Sequence, residues 1–91
     1  WLARYGGEEF CLVMPDTDLD TGARVAERVR RNVAASVLQS IDQRPVTLTA
    51  SVGVAQLGAQ TDSPLSLVQH ASEALLGAKQ AGRNRLVVAA A

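Results

Sequence analysis

The stretch RYGGEEFCLVM, residues 4–14, decides which fold is expected at the start of this 91-residue chain, because it has the pattern of a β-hairpin. Gly6 and Gly7 tolerate the positive φ that tight turns require, so they are predicted to form a two-residue turn. The run from Phe10 to Met14 is apolar at successive positions, which predicts a strand covered on both faces. The two predicted arms are residues 1–5 and 8–14.

Two amphipathic helices are predicted farther along the chain. Apolar residues at spacings of three and four indicate a helix from about Asp20 to Val37, with Asp18 or Asp20 as its N-cap. Ser63-Pro64 is typical of a helix start, and Gly82 of a helix end, so a second helix lies between them. The predicted apolar stripes are Ala23, Ala26, Val29, Val33 and Val37 in the first helix and Leu65, Val68, Ala71, Leu75 and Ala78 in the second.

Two more strands follow from the alternation of apolar and polar residues. Residues 46–54 alternate strictly with a period of two, and residues 85–89 form a short apolar run. Residues 39–45 are polar and are predicted to form a loop. The predicted order is ββαβαβ, an α+β (α/β sandwich) fold in which helices flank an antiparallel-rich sheet.

The composition excludes several function classes. Nine basic and nine acidic residues give a net charge of zero, so no broad positive field attracts nucleic acid or an anionic membrane surface. No apolar stretch approaches the roughly 20 residues of a membrane-spanning helix, and no direct membrane contact is expected. The single cysteine, Cys11, is consistent with a reducing compartment such as the cytoplasm, and its apolar neighbours favour a buried side chain.

The hairpin also carries the first candidate site. Glycines at a hairpin tip let a ligand approach the backbone, and the adjacent Glu8 and Glu9 offer carboxylate oxygens of the kind that Mg²⁺ selects. The alternative is an ordinary Gly-Gly hairpin with solvated glutamates.

A second cluster, KQAGRNR at residues 79–85, lies at the end of the second helix. Lys79 and Arg83 flank Gly82 there, and both could turn toward a polyphosphate. The alternative is that these cations only complement the negative end of the helix dipole.

Three blocks of the sequence together resemble the GGDEF domains of bacterial diguanylate cyclases. The blocks are GGEEF at residues 6–10, ASVGVA at 50–55 and EALLGAKQAGRNRL at 73–86, in the order and near the spacing of that family. The resemblance spans residues 1–91 but only the C-terminal portion of the family's domain. It implies a partial GGDEF domain whose N-terminal strand and helices lie outside this sequence.

That resemblance implies a nucleotidyl cyclase or polymerase-palm fold and an enzyme that condenses two GTP molecules into cyclic di-GMP. It implies Mg²⁺, with Mn²⁺ as an alternative, and a second GGDEF domain facing the first in a catalytic homodimer. An upstream sensor or receiver domain and a cytoplasmic location are also implied. Since the family's other metal-binding aspartate precedes this segment, we expect the 91-residue chain alone to be inactive.

The resemblance also implies roles for individual residues. Gly6 and Gly7 would lie against the nucleotide, and Glu8 would bind the metal and help to deprotonate the attacking 3′-hydroxyl. Glu9 would complete that metal and hydroxyl environment. Lys79 and Arg83 would neutralise the phosphates of GTP.

Arg28, on the first helix, corresponds to an arginine that the family often uses to bind cyclic di-GMP as an inhibitory product. The alternative for Arg28 is a solvated helix arginine. A degenerate domain that binds GTP or cyclic di-GMP as a regulatory module, without catalysis, is the alternative function.

Overall fold

The computed structural model describes residues 2–4, 6, 9–39, 42–58 and 62–89, except for the side chains of residues 37–39. Within these ranges the chain forms two helices and six short strands. In chain order they are β1 Leu2–Arg4, β2 Phe10–Leu12, α1 Leu19–Ala35, β3 Val37–Gln39, β4 Pro45–Thr47, β5 Val52–Val54, α2 Pro64–Gln80 and β6 Leu86–Val88.

Both helix starts are capped as the sequence predicts. Asp18 is the N-cap of α1, where its side chain accepts a hydrogen bond of 2.7 Å from the Thr21 amide. Ser63 caps α2 in the same way by accepting from the Ser66 amide at 3.1 Å, and Pro64 occupies the first turn. These caps satisfy amide groups that have no partner within the helix, which fixes where each helix begins.

The strands form three pairs. β1 pairs with β2 and β3 with β4, both antiparallel, whereas β5 and β6 pair in parallel with Val54 opposite Val88. Parallel neighbours require a crossover, and α2 supplies it between β5 and β6. The predicted α+β class is confirmed, with β3 and the break between β4 and β5 as additions to the predicted order.

Small side chains form the centre of the molecule, where α2 packs across β5 and β6. Ala78 is fully buried, and Ala74, Ala26 and Val54 are nearly so. Gly53 on β5 permits this packing, because an ideal Cβ there would overlap the Ala71 carbonyl oxygen and the Leu75 amide nitrogen of α2. The sheet and helix backbones therefore approach more closely than any residue with a side chain would allow.

The hairpin differs from the predicted two-residue turn. Its register pairs Arg4 with Phe10, so residues 5–9 lie between the last paired positions. A two-residue turn at Gly6-Gly7 would instead place Arg4 opposite Glu9. The strands are thus shifted by one residue relative to the predicted pairing, which reverses which side chains share a face.

The predicted covering of both faces of the second arm is also wrong for the described residues. Cys11 and Met14 are half-buried, whereas Phe10 is 66% exposed and Leu12 and Val13 are exposed as well. Cys11 is therefore less enclosed than its apolar neighbours suggested. Continuous apolar sequence identified the strand without showing how many faces are covered in this chain.

Residues 46–54 do not form one strand. β4 ends at Thr47 and β5 begins at Val52, so the alternating residues between them belong to no strand. The predicted loop at residues 39–45 instead includes the end of β3 and the start of β4, which pair with each other. α1 ends at Ala35 rather than Val37, since β3 begins at Val37.

The apolar stripes are confirmed at some positions and wrong at others. Ala26 and Ala78 are buried, but Val29 is 46% and Leu65 is 70% exposed. The side chain of Val37 lies outside the described part of the structure. Among the helices in the described ranges, none combines the length and apolar character needed to cross a membrane.

Candidate functional site

The hairpin loop places Glu9 at one side of the candidate site. The Arg4 Nε donates to the Gly6 carbonyl at 3.1 Å, and the Gly6 amide donates to the Glu9 carbonyl at 3.2 Å. An ideal Cβ on Gly6 would meet only the Glu9 Cβ, at 3.9 Å, among the described atoms. Gly7 and Glu8, the other predicted residues of this loop, lie outside the described residues.

The last turn of α2 lies on the other side of this site. Lys79 Nζ is 3.5 Å from Glu9 Oε1, although 70 positions separate the two residues in the sequence. The side chain of Lys79 is 30% exposed and that of Glu9 is 40% exposed, so a ligand from solvent can reach either group. Two of the predicted site residues, one from each cluster, are thus adjacent.

The turn after α2 presents the third predicted residue, Arg83. Gly82, Arg83 and Asn84 have φ angles of +123°, +64° and +47°, and the Arg83 amide donates to the Ala78 carbonyl at 2.9 Å. Arg83 is exposed, and its guanidinium has no hydrogen-bond or ion-pair partner among the described residues. That group is therefore available to an external anion.

Arg30 of α1 supports this turn, and sequence reasoning missed it. Its Nη1 donates to Asn84 Oδ1 at 2.7 Å, while its Nε donates to both carboxylate oxygens of Glu27 at 3.1 and 3.0 Å. Hydrogen bonding to Glu27 raises the pKa of Arg30, and the same hydrogen bonding lowers the pKa of Glu27.

The signal for Arg30 was its position. It lies four residues after Ala26 and three before Val33, so it occupies the predicted apolar stripe, where a solvated arginine is not expected. An arginine at such a position requires a partner, because its charge is expensive to bury alone.

Arg28 lies elsewhere on α1. Its side chain is exposed, and no hydrogen bond or ion pair among the described residues joins it to Glu9, Lys79 or Arg83. The described structure therefore does not link the predicted product-binding arginine to the other three residues.

Of the two predicted metal ligands, Glu9 is among the described residues and Glu8 is not. The Glu9 carboxylate is the correct donor type for Mg²⁺, and it is half-exposed. Within the described ranges, no three His, Cys, Asp or Glu side chains converge as a metal-binding group. The described residues thus fit part of the ligand set of a Mg²⁺ site and do not form a complete site by themselves.

Comparison with known proteins points to one family. The family model "Diguanylate cyclase, GGDEF domain" matches residues 1–85. The response regulator PleD of Caulobacter vibrioides is 42% identical over 89 residues, which is 97% of this chain and 20% of PleD. Diguanylate cyclase A of Treponema denticola is 37% identical over 86 residues, covering 94% of this chain and 23% of that protein. The chain thus spans about a fifth of the length of these curated relatives.

A solved structure has the same architecture. The crystal structure of the GGDEF domain of DgcB from Caulobacter crescentus, in complex with c-di-GMP, superimposes with a TM-score of 0.85 at 32% identity. The match covers 97% of this chain and 52% of that one.

Proposed function

This chain belongs to the GGDEF domain family, and from that membership we propose that it supplies the catalytic hairpin and phosphate-binding turn of a diguanylate cyclase in bacterial cyclic di-GMP signalling. The observation that carries the proposal is the 3.5 Å approach of Lys79 to Glu9. It brings one carboxylate of the hairpin beside one cation of the C-terminal cluster, and a metal–nucleotide complex needs both kinds of group.

In the proposed reaction the 3′-oxygen of one GTP attacks the α-phosphorus of another. A new P–O bond forms, the bond to the β-phosphate oxygen breaks, and pyrophosphate leaves. The proton of the 3′-hydroxyl passes to Glu8. Repetition of this transfer in the opposite sense closes the cyclic dinucleotide, so a second GGDEF domain holding the second GTP must face the first.

The predicted site residues divide into three roles in this scheme. Gly6 and Gly7 leave room for the nucleotide, and Glu8 and Glu9 would hold Mg²⁺. That ion, or Mn²⁺, would supply positive charge between the attacking and leaving oxygens. Lys79 and Arg83 bind the β- and γ-phosphates and offset the charge that develops on pyrophosphate.

The test uses the longest natural chain that contains residues 1–91. With GTP and Mg²⁺, we expect cyclic di-GMP by chromatography, and we expect Glu8→Gln to lower turnover by about 100-fold or more because the base and metal ligand are lost. Glu73→Gln, which neutralises an exposed carboxylate on α2, is the matched control and retains turnover. Unchanged turnover in Glu8→Gln would contradict the assignment.

The 91-residue chain by itself is proposed to be inactive, since its acidic pair does not complete a two-metal site. Cyclic di-GMP formed by this purified chain would refute that part of the proposal.

A regulatory role through bound product is the second candidate, and the exposed Arg28 favours it. A guanidinium on an open helix face can bind a phosphate of cyclic di-GMP in bidentate fashion. We expect Arg28→Ala to weaken binding of cyclic di-GMP while the affinity for GTP stays unchanged. Binding of both nucleotides without any turnover in the natural chain would favour a degenerate regulatory domain over an enzyme.

A further inference from the structure

The turn that carries Arg83 includes non-glycine residues with positive φ. Gly82, Arg83 and Asn84 all have positive φ, a region that glycine enters freely but that arginine and asparagine enter at an energetic cost. Such a conformation persists only where surrounding groups hold it. The groups that hold this turn therefore also set the position and direction from which the Arg83 side chain extends.

Part of the support comes from the turn itself. The Arg83 amide donates to the Ala78 carbonyl at 2.9 Å, and Arg85 Nε donates to the Arg83 carbonyl at 3.1 Å. Both bonds connect the turn only to nearby residues in the chain. They do not fix its orientation relative to α1.

The Val52 amide of β5 donates to the Arg85 carbonyl at the end of the turn at 2.9 Å, and Arg30 supplies the connection to α1. Its Nη1 donates to Asn84 Oδ1 at 2.7 Å and to the Asn84 carbonyl at 3.4 Å, across 54 positions of sequence. Its Nε is held by both oxygens of Glu27, and its side chain is only 17% exposed. One planar guanidinium thus binds α1 and the turn at once, which the ammonium of a lysine cannot do with the same geometry.

We propose that Arg30 and Asn84 are positioning residues that direct Arg83 toward the phosphates of GTP, an inference that rests on the proposed function. Neither residue touches the substrate. The Arg83 side chain is exposed, and its guanidinium has no hydrogen-bond or ion-pair partner among the described residues. The direction of the Arg83 backbone therefore governs how often this guanidinium meets a phosphate. Holding a binding group in place lowers the entropy lost when the ligand binds.

The experiment is a double-mutant cycle in the longest natural chain that contains residues 1–91. Affinity for a nonhydrolysable GTP analogue with Mg²⁺ is measured by calorimetry for Arg30→Lys, Arg83→Ala and the double variant. Turnover kinetics on the same proteins give KM and kcat. Arg31→Lys is the matched control, since Arg31 also bonds Glu27 but is 73% exposed and has no hydrogen bond or ion pair to the turn among the described residues.

We expect Arg83→Ala to weaken affinity about tenfold or more, as for loss of a charged hydrogen bond. Arg30→Lys should weaken it several-fold, raise KM and leave kcat nearly unchanged. In the Arg83→Ala background the same change should have no further effect, because the residue that it positions is gone. Arg31→Lys should have no effect in either background.

A second pair of variants keeps the inference testable if Arg30→Lys disturbs folding. Asn84 is exposed, so Asn84→Ala removes the acceptor without opening the core, whereas Asn84→Asp retains an oxygen for Arg30. We expect the first to lose affinity and the second to keep it.

The outcomes separate this inference from the proposed function. If Arg83→Ala weakens binding but Arg30→Lys and Asn84→Ala do not, or if their effects simply add to that of Arg83→Ala, the positioning role is refuted and the function stands. If Arg83→Ala leaves binding unchanged, the phosphate role of Arg83 fails and the positioning role fails with it.

Discussion

Replacement of Gly53 by alanine should damage this fold more than its single methyl group suggests. The added Cβ would overlap the Ala71 carbonyl oxygen and the Leu75 amide nitrogen and lie 3.0 Å from the Leu75 Cα. All three obstacles are backbone atoms of α2, so no side-chain rotation can relieve the overlap. The helix has to withdraw from β5 by about 1 Å, a gap that forfeits a quarter to a half of the dispersion energy of its contacts.

Overpacking of this kind costs roughly 1–3 kcal/mol, and the rigidity of the obstacles places Gly53→Ala near or above about 3 kcal/mol. That is a large share of the roughly 5–14 kcal/mol expected for a domain of this size. Urea unfolding followed by circular dichroism at 222 nm measures the change, and a fall in Tm of about 12 °C or more should accompany it.

Gly77→Ala is the matched control for Gly53→Ala. Gly77 lies in α2, the helix that packs against Gly53, but a Cβ there meets no described atom within 4 Å, so the variant should gain up to about 1 kcal/mol from helix propensity. A Gly53→Ala protein with a free energy of unfolding within about 0.5 kcal/mol of the parent would refute the argument from close packing.

Three further predictions follow from the caps and the site. The hydrogen bond from the Thr21 amide lowers the pKa of Asp18, so the ionised Asp18 side chain stabilises the fold at pH values above its ordinary pKa. This stabilisation is lost as the pH falls below about 4. Unfolding of Asp18→Asn measured against pH should therefore show a weaker loss of stability in acid. Gly82→Ala should cost about 1–2 kcal/mol in urea unfolding, because alanine disfavours a φ of +123°, and an unchanged midpoint would show that the turn relaxes freely. Lys79→Gln should change the free energy of unfolding by less than about 1 kcal/mol, since the Glu9–Lys79 pair is partly exposed. The same variant should raise KM for GTP in the natural chain. A large loss of stability with unchanged KM would instead show that Lys79 supports the fold.

Local signals in the sequence located the elements, and their ends were less accurate. Asp18 and Ser63-Pro64 mark helix starts through caps that act within three residues, so they could be recognised without the fold. The alternation over residues 46–54 continues past the end of β4, because a side-chain pattern does not show where ladder hydrogen bonds stop. The parallel pairing of β5 with β6 depends on α2 crossing between them, which only the folded chain determines.

The candidate site shows the same division. The two clusters were visible in the sequence, but the proximity of Glu9 and Lys79 is a property of the fold. Arg30 was overlooked because its partner Asn84 is 54 positions away. The placement of Glu8, the predicted base and metal ligand, stays a prediction because it lies outside the described residues.

The Glu9–Lys79 ion pair has a consequence for the order in which ligands bind. Before any ligand arrives, Glu9 and Lys79 already neutralise one another, so the pair itself carries no net charge. On the proposed function, a divalent cation that takes Glu9 releases the ammonium of Lys79, and a phosphate that takes Lys79 releases the carboxylate. Each ligand thus removes a competitor of the other, and thermodynamic linkage makes that assistance mutual. Metal and nucleotide should therefore bind together more tightly than their separate affinities indicate. In binding, Glu9 and Lys79 exchange one another for the cation and the phosphate.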